Sequence, residues 1–113
     1  MTGGTTMSLF HYFRQPNINE GVFLFQNTEG AILLDVRTPQ EYQTGHIPGS
    51  INLPPALLDN AAEIIDNEDT PIFIYCQSGN RSRQAVTRLA AMGYSNVKNI
   101  GGISAWTGEV ENK

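Results

Sequence analysis

Residues 71–82, PIFIYCQSGNRS, restrict the fold more than any other part of the chain. The apolar run Ile72-Phe73-Ile74-Tyr75 follows Pro71. A short β-branched and aromatic run of this kind reads as a buried strand of a parallel sheet. Cys76, the only cysteine, comes next. The polar residues Gln77, Ser78, Gly79 and Asn80 follow, then Arg81, and an amphipathic helical pattern starts near Ser82. The single thiol therefore falls where a strand ends and a helix begins. Open α/β sheets gather ligands at the carboxyl ends of their strands. There the amides of a tight turn and of the first helical turn converge on one spot. A thiolate in that place meets a positive half-dipole and several donors, which lower its pKa and make it a nucleophile near neutral pH.

The remaining segments alternate strand and helix. Residues 17–19 are expected to form a brief edge strand, with Asn19 capping a helix from Glu20 to about Gln26. Residues 31–36 read as a central strand running into Asp35-Val36-Arg37. Thr38-Pro39-Gln40-Glu41 is a strong helix start: Thr38 as N-cap, Pro39 at the first position and Glu41 closing a capping box. That helix ends at Gly45. A loop through His46 leads to a strand over residues 50–53. Pro54-Pro55 opens a helix whose inward side is expected to carry Leu57, Leu58, Ala61, Ile64 and Ile65. After the Cys76 stretch, a helix over residues 82–92 turns Ala85, Val86, Leu89 and Ala90 inward and stops at Gly93. Residues 97–100 are the last strand, Gly101-Gly102 a tight turn, and residues 103–106 a final short helix. Residues 8–13 suit a short helical turn. Strands alternating with helices predict a parallel sheet covered on both faces.

The 113 residues suffice for one domain with a core of its own. Residues 1–6 read as a tag remnant or disordered tail, 7–108 as the domain and 109–113 as a frayed C-terminal tail. No apolar stretch is long enough to span a bilayer, and no secretory leader is visible. One cysteine excludes an internal disulfide and suits a reducing compartment, so the expected location is cytoplasmic. The net charge of −4 argues against nucleic acid as a partner. Its distribution is uneven. Residues 70–108 contain no Asp or Glu but carry Arg81, Arg83, Arg88 and Lys98. The cysteine thus lies in the basic part of an acidic protein, a field that attracts a small anion.

Three separated motifs resemble those of single-domain rhodaneses, the thiosulfate sulfurtransferase-like family. They are ILLDVRTPQEYQTGHIPGSINLP, IFIYCQSGNRS and NIGGISAW, in this order and spacing. The resemblance covers residues 17–107. It implies a rhodanese-like α/β fold, a five-stranded parallel sheet flanked by helices on both faces. It also implies that Cys76 takes a sulfane sulfur from a donor, holds it as a persulfide and passes it to an acceptor. On this reading Gln77, Ser78, Gly79, Asn80 and Arg81 form the active-site loop. Its backbone N–H groups stabilise the persulfide, and Gly79 permits the positive φ of the curl. Arg81 binds the anionic sulfonate end of thiosulfate, for which its planar fork is suited. Ser82, Arg83, Asp35 and Arg37 are candidates for supporting roles. Asp35 and Arg37 are expected to pair with loop backbone or with each other. His46 resembles the family's loop histidine and is assigned structural hydrogen bonding, Trp106 is assigned to the core, and His11 has no identifiable partner.

No cofactor or metal is expected, because one cysteine and two distant histidines make no ligand set. The expected partners are a small anionic sulfur donor and a thiol or cyanide acceptor, with a protein acceptor as a variant. With no second cysteine the chain cannot resolve a persulfide as an internal disulfide, so the acceptor comes from outside. A persulfide-relay or regulatory rhodanese module acting on a protein partner is the main alternative. A cysteine phosphatase or arsenate reductase is the enzymatic rival. Those loops hold five residues between cysteine and arginine, whereas here four separate Cys76 from Arg81, and no general acid for a leaving group lies nearby.

Overall fold

The computed structural model describes residues 17–112. Helix α1 is Ile18–Gln26, strand β1 Ile32–Asp35, helix α2 Pro39–Thr44 and strand β2 Ser50–Asn52. A 3-10 helix over Pro55–Glu63 precedes strand β3, Ile72–Cys76. Helix α3, Asn80–Ala91, strand β4, Val97–Gly102, and a 3-10 turn over Ile103–Ala105 complete the order. The sheet has four strands in the order β2-β1-β3-β4, all paired parallel.

Period-two alternation sorts the strand side chains into two cores. Leu33, Phe73 and Tyr75 face one side, where they pack with Ile18 and Val22 of α1, Ile47 and Ile100. Leu34, Ile72, Ile74 and Cys76 face the other, with Leu58 and Ala61 of the 3-10 helix and Ala85 and Leu89 of α3. Helices therefore cover both faces, as expected. Every residue of β3 is buried, because it lies inside the sheet between β1 and β4.

The five-stranded expectation is corrected to four strands among the described residues. The proposed edge strand at residues 17–19 is the start of α1. Asn17, not Asn19, is the N-cap: its side chain accepts from the Glu20 amide at 2.9 Å, and the Glu20 carboxylate accepts the Asn17 N–H at 3.3 Å. This reciprocal capping box outweighs the β-like isolation of Ile18. Asn19 instead reaches the C-terminal segment, accepting from the Thr107 amide at 3.2 Å.

The segment after Pro54 winds as a 3-10 helix. Asp59 and Asn60 in its middle compete poorly as helix formers. At about three residues per turn, one stripe carries Leu58 and Ala61 inward. Leu57, expected inside, falls off that stripe and is 52% exposed; Ile64, also expected inside, caps the helix just past its end at Glu63 and is 45% exposed. Helix α3 begins two residues earlier than expected, at Asn80; Ala90 is exposed. Residues 97–102 are one strand rather than a strand and a turn, with a register shift opposite Ile74/Tyr75 where Gly101 has φ +102°. The segment expected to fray pairs through Glu111, whose backbone exchanges hydrogen bonds of 2.7 and 2.8 Å with His46. The expected turn at residues 8–13, and His11 within it, lie outside the described residues. No helix among the described residues is long and apolar enough to cross a membrane.

Tyr75 joins the sheet to the loop before β2. Its buried hydroxyl accepts the Ile47 N–H at 3.0 Å and donates to Ser50 Oγ at 3.2 Å. Tyr75→Phe strands the Ile47 amide in a dry site. Urea unfolding should register a loss of about 1–3 kcal/mol, the usual cost of an unsatisfied buried polar group.

Candidate active site

Cys76 ends β3 and points to the α3 side of the sheet. The strand order turns back between β1 and β3, so the carboxyl ends of these neighbours form the switch-point crevice in which α/β sheets bind ligands. The next four residues curl. Gly79 has φ +103° and serves as the N-cap position of α3, a left-handed conformation that residues with a Cβ adopt only under strain. The curl aims donors at the sulfur: the Gly79 N–H at 3.0 Å, the Ser82 N–H at 3.4 Å and the Ser82 hydroxyl at 3.4 Å. Burial alone pushes the Cys76 thiol up. The Ser82 hydroxyl and the amides of Ser82, Gly79 and Ser78 outweigh it, so the pKa falls below the ordinary value.

The residue itself is 0% exposed. The loop that follows it is not: Gln77, Ser78 and Asn80 are exposed and Gly79 half-buried. The sulfur thus lies beside a solvent-facing loop whose amides point toward it.

Two neighbouring elements hold this loop. The first is the end of β4. A Cβ on Gly102 would stand 2.3 Å from the Gln77 carbonyl oxygen, so only glycine lets the strand approach the loop backbone this closely. The Ser104 N–H donates to the same carbonyl at 3.2 Å. The second is the end of β1. Arg37 and Asp35 pair with each other, as expected: Nη2 lies 2.7 Å from Oδ2, with both side chains buried. Arg37 also donates to the Gly45 carbonyl at 2.7 Å and to Gln77 Oε1 at 3.4 Å. The buried pair therefore ties β1 to the loop after α2 and to the residue following Cys76.

Arg81, expected to bind the anionic end of the donor, has a protein partner of its own. Its guanidinium makes a two-pronged ion pair with Glu41, at 2.8 and 3.0 Å. Glu41 also closes the predicted capping box on Thr38. Reading it as a helix cap alone missed its second partner, which the sequence separation of 40 hides. Arg83 is exposed on α3. His46 stacks on Tyr42, with ring centroids 3.6 Å apart, and its Nδ1 lies 2.8 Å from the Tyr42 carbonyl. Trp106 packs against the α1-side core and donates to the Glu109 carbonyl at 2.8 Å. Asn99, which opens the NIGGISAW motif but has no assigned role there, touches Ser82, Gly79 and Gly101. The available signal was a residue type depleted in strands sitting inside β4.

A reactive-type thiol in an amide cradle at this switch point coincides with the sequence family found by comparison. The rhodanese-like domain model matches residues 24–109. The chain belongs to the rhodanese-like family. A sulfurtransferase of Allochromatium vinosum is 43% identical over 71% of this chain and 75% of its own length. The thiosulfate sulfurtransferase PspE of Escherichia coli is 37% identical over 62% of this chain and 68% of its own. The adenylyltransferase and sulfurtransferase UBA4 of Meyerozyma guilliermondii is 36% identical, but this chain spans only 21% of it. Among solved structures, a rhodanese with anions from E. coli superposes with a TM-score of 0.69 at 31% identity, covering 74% of this chain and 99% of that one. Rhodanese-like sulfurtransferases are thus its relatives in both sequence and structure.

The Glu41–Arg81 pair has a pH signature. The hydrogen bond from Arg81 lowers the Glu41 pKa from 4.5 to about 2, against burial and with help from the Thr38 amide. A depressed folded-state pKa gives stability that is complete above pH 4.5 and lost as pH falls toward about 2. Glu41→Gln keeps the cap and removes the charge. The stability gap between wild type and this variant should be largest near neutral pH and close on acidification, read from urea midpoints at several pH values.

Proposed function

We infer that this chain transfers a sulfane sulfur through a Cys76 persulfide, from thiosulfate or a similar donor to a thiophilic acceptor such as cyanide or a thiol. The observation that carries this reading is the set of N–H groups of Gly79 and Ser82, at 3.0 and 3.4 Å, converging on a single thiol. In the first step the Cys76 thiolate attacks the outer sulfur of thiosulfate. A Cys76 S–S bond forms, the sulfur–sulfur bond of the donor breaks, and sulfite leaves with the electron pair. In the second step the acceptor attacks the terminal sulfur, and Cys76 leaves as the thiolate. Both Cys76 anions are solvated by amides rather than water. Donors preorganised around developing charge contribute on the order of 3 kcal/mol each.

Gln77, Ser78, Gly79, Asn80 and Arg81 form the loop on this reading, with Ser82 as a further donor to the sulfur. Arg81 is assigned to the anionic end of the donor. Its guanidinium has five N–H groups, and Glu41 engages it through two hydrogen bonds. Arg83, exposed on α3, contributes to the field that attracts the anion. Asp35 and Arg37 brace the crevice. The relay reading, in which a protein supplies or accepts the sulfur, draws support from the similarity to UBA4.

Thiocyanate formation from thiosulfate and cyanide tests the reaction. Wild type should form thiocyanate and, without cyanide, gain the mass of one sulfur atom by intact mass spectrometry. Cys76→Ser should do neither while keeping its fold. Adduct on the Ser variant, or hydrolysis of an aryl phosphate without thiocyanate, overturns the assignment. Arg81→Ala should raise KM for thiosulfate about tenfold with a smaller change in kcat, the pattern of lost uniform binding.

A further inference from the structure

Ser82 Oγ has more acceptors around it than protons to give. It stands 2.7 Å from Asn99 Oδ1, 3.1 Å from the Gly79 carbonyl and 3.4 Å from Cys76 Sγ. A hydroxyl donates one hydrogen bond. With a neutral thiol the proton belongs on the shortest contact, Asn99 Oδ1, and Oγ presents a lone pair to the sulfur.

The Asn99 amide has only one workable orientation. Its Nδ2 donates to the Gly79 carbonyl at 3.2 Å, and its Oδ1 accepts the Gly101 N–H at 2.9 Å. Turning the amide over would set two donors and two acceptors against each other. The same Oδ1 therefore faces both Gly101 and Ser82. When the hydroxyl turns away, Oδ1 keeps the Gly101 N–H and is not stranded. Asn99 thus releases the proton at little cost.

We propose that Asn99 is a positioning residue for Cys76: its side chain holds the Ser82 hydroxyl proton while the sulfur is a thiol and yields it when the sulfur is an anion. The thiol proton departs to solvent, Ser82 keeps its own, and only the hydroxyl torsion changes. No other bond is made or broken. Through the Gly79 carbonyl the same side chain steadies the left-handed residue whose N–H meets the sulfur at 3.0 Å. The charged groups around the site are Arg81 on α3, held by Glu41 of α2, and the Asp35–Arg37 pair at the end of β1. No Asp or Glu lies in residues 70–108, so nothing else there competes for the hydroxyl as an anion.

This role presupposes the Cys76 chemistry proposed above. Ionisation of the thiol is read without any sulfur donor, however, so the two readings fail separately. The measurement is the pH dependence of Cys76 alkylation by iodoacetamide in wild type, Ser82→Ala, Asn99→Asp and the double variant. Ser82→Ala should raise the apparent pKa by about one unit, tenfold in thiolate fraction. In Asn99→Asp the carboxylate keeps the hydroxyl permanently, so the pKa rises, and adding Ser82→Ala should raise it by less than half as much again. The coulombic effect of the new carboxylate is common to both arms and cancels in the cycle. Equal, additive shifts overturn the proposal. An independent reading uses the unaltered protein. The side-chain NH2 resonances of Asn99 should move with the Cys76 titration, and should stay still through that range in Ser82→Ala. Flat wild-type resonances overturn the proposal even where Asn99→Asp does not fold.

Discussion

A sulfur anion at the end of a strand buried on both faces has little water to solvate it, so the backbone must supply the donors. That requirement organises the crevice. β3 lies inside the sheet, between β1 and β4, and delivers Cys76 to the α3 side at 0% exposure. The four residues after it cannot continue as a strand, because the Gly79 and Ser82 amides must turn back toward Sγ. Only a left-handed residue makes that turn, hence Gly79 at φ +103°. A turn of this kind does not hold itself. Its carbonyls at Gln77 and Gly79 are received by the Ser104 amide and the Asn99 side chain, both from the β4 end.

The electrostatics follow the same division between ends of strands. The Asp35–Arg37 pair is buried, its carboxylate fully hydrogen-bonded, and it bridges to Gln77 as well as to Gly45. A buried pair is weak evidence for stability, because desolvation offsets the attraction. Its use here is geometric: it fixes the distance between the β1 end and the loop after β3. The Arg81–Glu41 pair is half-exposed, with side chains at 36% and 34%. Solvent and salt screen such a pair, and its net contribution is small. On the proposed function, Arg81 would exchange part of this half-exposed pairing for the anionic end of the donor. Both pairs join a carboxylate to a guanidinium, yet their consequences differ, and burial decides which is which.

Much of this was legible in the chain. The strand of residues 72–75, the cysteine at its end, the permissive glycine and the Thr38–Glu41 box rest on local rules, and local rules hold where no distant contact opposes them. The errors fall where distant contacts decide. Asn17 outcompetes Asn19 as a cap because Glu20 reaches back to it, while Asn19 is drawn to Thr107 at a separation of 88. Gly101 and Gly102 look like a turn pair; instead the strand runs through both, since the Gln77 carbonyl leaves no room for a side chain at residue 102. Glu41 had a sufficient local explanation, which concealed its bond to Arg81. Asn99 had none, because an asparagine acts through what folding brings to it.

Burial of Cys76 also bears on what can exchange sulfur with it under the proposed function. Gln77, Ser78 and Asn80 beside it are exposed, while the Gly79 and Ser82 amides meet the sulfur and the Gln77 and Gly79 carbonyls are held from the β4 end. A broad, flat protein surface meets this loop before it meets the buried sulfur, and lifting the loop would remove the donors that make the thiol acidic. On the proposed function, the donor's sulfur and the acceptor's nucleophilic atom are therefore best carried on a slender end. Thiosulfate, cyanide and low-molecular-weight thiols meet that condition, and so does a cysteine carried on an extended chain terminus, as a persulfide where it donates and as a thiol where it accepts. On the proposed function, the geometry that lowers the Cys76 pKa thus favours partners that reach in with a narrow end.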